Sequence, residues 1–141
     1  MNLLWGALLV GIGGALGSVL RWGIADLWRA HLAATHRPIA RSGTDVAREM
    51  VPWPTLSANV LACFLLGVLV VRLGALTGAV EQGSYLLAAV GFCGGLSTAS
   101  TVMMDVISMV RRGIPVMATG YLLLTIGSSM GALWAGVVIA S

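Results

Sequence analysis

The stretch GFCGGLSTASTVMMD, residues 91–105, decides how this chain is read. It lies in the third of four long apolar runs. Yet it combines Gly91, Gly94 and Gly95 with Ser97, Thr98, Ser100 and Thr101, a composition that disfavours an uninterrupted helix. A helix that breaks at membrane depth leaves backbone carbonyls without intrahelical partners, and these are tolerated only where protein, water or an ion satisfies them. The residues therefore point to a cation site built from carbonyls at the break. A glycine hinge or a packing kink is the other reading this composition allows.

The rest of the chain supplies the membrane. Of 141 residues 58% are hydrophobic and 9% charged, which is the balance of a membrane protein. A helical crossing needs about 20 apolar residues. Four such segments can be drawn, at 3–28, 54–72, 84–110 and 114–140, and they use the whole length as one domain. The expected fold is an all-α membrane protein of four transmembrane helices with the third broken near its middle. A polar loop over residues 29–53 separates the first two spans and ends in Pro52 and Pro54, which rigidify the entry to the second helix. Within it, residues 42–50 could make a short surface helix capped by Thr44. Pro115 suits the first turn of the last helix. No basic residue precedes the first apolar run, since the first arginine is Arg21, so that run is expected to be a retained span and not a signal peptide.

Several function classes drop out. The net charge of +3 comes from eight arginines and no lysine, scattered without interleaved aromatics, which argues against nucleic-acid binding. Cys63 and Cys93 lack metal or CxxC spacing and read as small side chains within apolar segments. No nucleophile–base pair or phosphate loop can be assembled, so an enzyme is not expected. Gly13 with Gly17, Gly14 with Ser18, and Gly127 with Gly131 are small-xxx-small pairs that predict close helix packing.

Polar residues inside the spans carry the functional reading. Asn59 falls mid-span, where an amide must face another helix or water, and Thr55 lies one turn earlier on the same face. Tyr121, Thr125 and Ser129 recur every fourth residue and align three hydroxyls along the last span. Such tracks can serve interhelical hydrogen bonding. Without any carboxylate, histidine or lysine they can equally line a path of neutral donors suited to a small anion, whose lost hydration N–H and O–H groups replace. Arg21, flanked by Trp22, either snorkels to the interface or places a fixed positive charge at a pore mouth.

In order and spacing, GGALGSVLRW (13–22), TLSANVLACFLLG (55–67), GFCGGLSTAST (91–101) and YLLLTIGSS (121–129) resemble the Fluc/CrcB family of small fluoride channels. The resemblance spans nearly the whole chain apart from the longer first loop. It implies an antiparallel dimer with two narrow fluoride pathways and a structural, non-transported Na+ at the dimer centre, held by carbonyls that correspond here to Gly94 and Ser97. It further implies that Asn59 is the pore amide that coordinates fluoride, with Thr55, Thr125 and Ser129 in the polar track, Tyr121 at its outer end and Arg21 at the vestibule. Where the family's third-span motif carries two phenylalanines, whose positive ring edges meet the anion, this chain has Ala99 and Val102.

Orientation points the same way. Outside the spans Arg29, Arg37, Arg41, Arg48, Arg111 and Arg112 lie on one side and Arg72 alone on the other. The positive-inside rule then places both termini away from the cytoplasm. A chain that must insert both ways to make an antiparallel homodimer should show little bias. We therefore expect one half of a heterodimer in the cell membrane, paired with a paralogous subunit of opposite topology. A homodimeric channel with an altered filter, a four-helix multidrug-type exporter and a non-transporting scaffold are the competing readings. The exporter needs an embedded carboxylate that the apolar core of the first span lacks.

Overall fold

A computed structural model describes residues 2–35, 51–74 and 78–141, so the expected surface helix over residues 42–50 lies outside the described residues. Those described are helical throughout, with no strand. The elements are α1 (Leu3–Thr35), α2 (Trp53–Leu73), α3 (Ala79–Tyr85), a π-helical segment (Leu86–Phe92), α4 (Cys93–Leu96), α5 (Ala99–Arg111) and α6 (Pro115–Ala140). Four stretches are long and apolar enough to cross a membrane: Leu3–His31, Trp53–Leu73, Val80–Arg111 and Pro115–Ala140. The third is the chain α3–π–α4–α5. The first helix continues past the expected end at residue 28 to Thr35, carrying the surface pair Arg29–Asp26 at 4.0 Å.

Local chemistry sets the helix ends. Pro54 and Pro115 occupy the first turns of α2 and α6, where a missing N–H costs nothing. Glu81 starts α3 by accepting the Gly78 N–H at 2.8 Å. The α5–α6 corner is a Schellman motif. Gly113 has φ +78°, its N–H reaches the Val110 carbonyl at 3.0 Å, and the Ile114 N–H reaches that of Met109 at 3.2 Å. Ile114 then packs on the cluster that contains Met109, as that motif requires.

Two helix pairs approach to backbone contact. A Cβ on Gly67 of α2 would collide with the Leu133 carbonyl, and one on Gly136 of α6 with that of Phe64. On the other side, Gly13 and Gly17 of α1 meet the carbonyls of Leu87 and Phe92, and a Cβ on Gly95 would strike Gly14. The expected pairing at Gly13 and Gly17 is therefore present. Gly127 and Gly131 differ: a Cβ at either would meet nothing within 4 Å, so they pack against no helix among the described residues.

The break falls within the expected stretch, just after its glycines. Gly94 and Gly95 are helical, and the chain opens at Ser97 (φ −79°, ψ 146°) and Thr98 (φ −152°, ψ 114°). Gly91 and Gly95 bring the third span against α1; the hydroxyl residues that follow stop the helix and restart it, with Thr98 as the cap of α5.

Candidate functional site

Asn59, on α2, is 5% exposed, and its Oδ1 accepts from the Ser97 hydroxyl at 2.9 Å and from the Thr98 N–H at 2.8 Å. A backbone N–H can only donate, so the atom facing it must be the amide oxygen. What Asn59 has left to offer is its pair of Nδ2–H donors. The same bond explains the break. In a continuous helix the Thr98 N–H would go to the Gly94 carbonyl; here it goes to Asn59, and the Gly94 carbonyl loses its helical partner. The next carbonyl, that of Gly95, accepts from the Ser18 hydroxyl of α1 at 3.5 Å.

Around Asn59 lies a cavity of about 360 Å³, which Thr125, Ser129, Ala99 and Val102 also line, together with Ser97 and Thr98. The structure thus brings Asn59, two members of the hydroxyl track and both departed filter positions to one place. The two hydroxyls are not equivalent. Thr125 donates to the Tyr121 carbonyl of its own helix at 2.8 Å, so its proton is committed. The Ser129 Oγ is buried and has no hydrogen-bond partner among the described residues. Among the residues that line the cavity, the Asn59 Nδ2–H pair and the Ser129 hydroxyl are therefore the neutral donors left to offer.

Among the described residues no aromatic ring lines this cavity. The chain has two phenylalanines. Phe92 packs on the cluster of Ala58, Ala62 and Leu96 beside α1, and Phe64 lies against Gly136; neither lines the cavity. Ala99 is exposed and Val102, 6% exposed, belongs to a core cluster with Met109, Ala118 and Tyr121.

Thr55 and Tyr121 are placed elsewhere than with Asn59. The Tyr121 hydroxyl donates to Asp105 Oδ2 at 3.4 Å, and the Thr55 hydroxyl interacts with both. They form a second polar cluster one turn from the cavity on α2 and α6, centred on the Asp105 carboxylate. The signal was available: Asp105 follows Thr98 by seven residues and shares its face of α5. Arg21 is half-buried on α1 and does not line the cavity. Gly94 is exposed, with open space where a side chain would project. Among the described residues no group of three or more His, Cys, Asp or Glu side chains is placed to hold a metal.

Comparisons with known proteins find relatives over nearly the whole chain. The family model described as CrcB-like protein, Camphor Resistance (CrcB), matches residues 8–137. The chain is 38% identical over 136 residues to a fluoride-specific ion channel FluC of Rhizobium etli, covering 94% of each. It is 32% identical over 137 residues to the FluC of Leptospira interrogans serovar copenhageni, covering 97% of this chain and 95% of the relative. Against the FluC of Erythrobacter litoralis the identity is 33% over 136 residues, covering 96% and 92%.

Proposed function

Because the chain belongs to the CrcB family, we propose that it is a fluoride-selective channel subunit for passive export of fluoride, lowering its toxicity inside the cell. The observation that carries this is the commitment of the Asn59 oxygen to Thr98, which leaves the amide's two N–H donors as its remaining capacity beside the Ser129 hydroxyl. A small anion leaves water only where donors replace its hydration. These two groups would do so between apolar walls, and the negative-inside potential drives the anion outward without a coupled reaction. Tyr121, Thr55 and Thr125 extend the polar path from this point, with Arg21 raising local anion concentration at the vestibule.

The subunit works as one half of an antiparallel dimer with a paralogous chain of opposite topology. Three features support this: no aromatic ring among the described residues lines the cavity, the arginine bias favours one insertion, and Gly127 and Gly131 present a close-packing face that no described helix of the same chain uses. In this reading the partner supplies the phenylalanine edges. Both termini of this chain then face away from the cytoplasm.

A structural Na+ at the dimer centre belongs to the same proposal. The donor set fits: the Gly94 carbonyl is released by the break, Ser97 is extended beside it, and Gly94 borders open space through which a second chain's carbonyls could approach. Such an ion would neutralise converging carbonyl dipoles and so hold the two breaks together. It is not transported.

Growth of a fluoride-hypersensitive cell tests the proposal. Co-expression with a paralogue that carries both phenylalanines restores growth on fluoride, whereas a pair in which Asn59 is changed to Asp does not. Equal rescue by the Asp variant would remove Asn59 from the pathway.

A further inference from the structure

The donor set above leaves Cys63 and Cys93 unused, yet the fold sets them against each other. Thr55 interacts with Asp105 and Asn59 bonds Ser97, so α2 and the third span run antiparallel. One more turn along α2 from Asn59 is Cys63; one turn back from Ser97 is Cys93, whose carbonyl accepts the Ser97 N–H at 2.9 Å. Both cysteines are free, Cys93 buried and Cys63 half-buried. Both line a second cavity of about 270 Å³, beside Gly94 and Ser97. Cys63 also lines the cavity around Asn59, so it forms part of the wall between the two.

We propose that Cys63 and Cys93 together form a capture site for a soft divalent cation of the Hg2+ class. The sulfur pair selects soft ions over the hard ones that carbonyls bind. Two sulfurs complete a linear coordination but leave a tetrahedral ion such as Zn2+ short of ligands. Charge selects the divalent ion. On binding, each thiol releases its proton to the aqueous medium and forms one sulfur–metal bond, so two thiols and one M2+ give a neutral S–M–S bridge and two protons. No oxidant takes part. A monovalent ion held by two thiolates would leave a net negative charge inside the membrane, which is costly. The cavity between the helices leaves room for an ion between the sulfurs. A bridge there ties α2 to α4 one turn from the break and occupies the wall shared with the Asn59 cavity.

The test uses the purified full-length chain, HgCl2 as the probe and excess free cysteine as a monothiol competitor, and it does not depend on what the channel conducts. Bound mercury is read from the near-ultraviolet thiolate-to-metal absorption and from intact mass, and free thiols from maleimide labelling. The wild type should hold one Hg2+ per chain against the competitor with both thiols blocked. Cys63→Ser and Cys93→Ser should each lose at least 100-fold in apparent affinity while eluting as the wild type does on size exclusion. Two mercury ions per wild-type chain, one on each thiol independently, would overturn the proposal. So would wild-type retention by either variant. The wild-type stoichiometry decides the question even if a variant fails to fold.

Discussion

The Oδ1 of Asn59 accepts the Thr98 N–H at 2.8 Å, and this bond both interrupts the third span and orients the amide. Under the proposed function, structure and transport meet at one side chain: the oxygen replaces a helical acceptor, and the nitrogen is what remains for an anion. Substitutions at Asn59 should separate the two roles.

Asn59→Asp keeps the acceptor and removes both donors. The chain should still elute as the wild type on size exclusion, while fluoride flux through the assembled channel, followed with a fluoride electrode, falls by about 10- to 100-fold, the cost of a hydrogen bond to a charged group. Asn59→Ala should lose stability as well, by about 1–3 kcal/mol, because the buried Thr98 N–H loses its partner.

Ser129 and Thr125 should respond unequally although they belong to one stripe. Ser129→Ala removes an uncommitted hydroxyl and should lower flux by about 10-fold. Thr125→Val removes a proton already spent on the Tyr121 carbonyl, so it should lower flux less than Ser129→Ala in the same assay. The reverse order would mean that Thr125 turns its proton toward the anion.

The two filter positions should differ in how they accept a ring. Val102 is 6% exposed within a packed cluster, so Val102→Phe should cost about 1–3 kcal/mol, measured as a lowered melting temperature in detergent. Ala99 is exposed, and Ala99→Phe should leave the melting temperature unchanged.

Glycine substitutions should sort by what a Cβ meets. Gly67→Ala and Gly136→Ala drive a methyl into a facing backbone carbonyl and should abolish the folded chain on size exclusion. Gly127→Ala meets nothing within the chain and should keep it folded, while weakening recovery of the pair when a tagged partner is co-purified.

Much of this was legible in the sequence because membrane helices announce themselves by length and apolarity, and because polar residues inside them are few. Asn59, Thr125 and Ser129 were found by that rule and do share one cavity. Thr55 was placed with Asn59 by its four-residue spacing, but the third span crosses α2 so that Asn59 faces Ser97 and Thr55 faces Asp105. The break lies where the glycines and hydroxyl residues of 91–101 predict it, but its cause is not local. In the fold Gly95 serves close approach to α1, and the helix opens where Asn59 competes for a backbone N–H. That competition joins residues 39 apart in sequence, and no local pattern contains it.

The most direct measurement is fluoride efflux from liposomes that hold this chain alone, compared with liposomes that hold it with a paralogous subunit carrying both phenylalanines. The account predicts little efflux from the single chain and fluoride-selective efflux from the pair. Robust, fluoride-selective efflux from the single chain would contradict the claim that a partner completes the site.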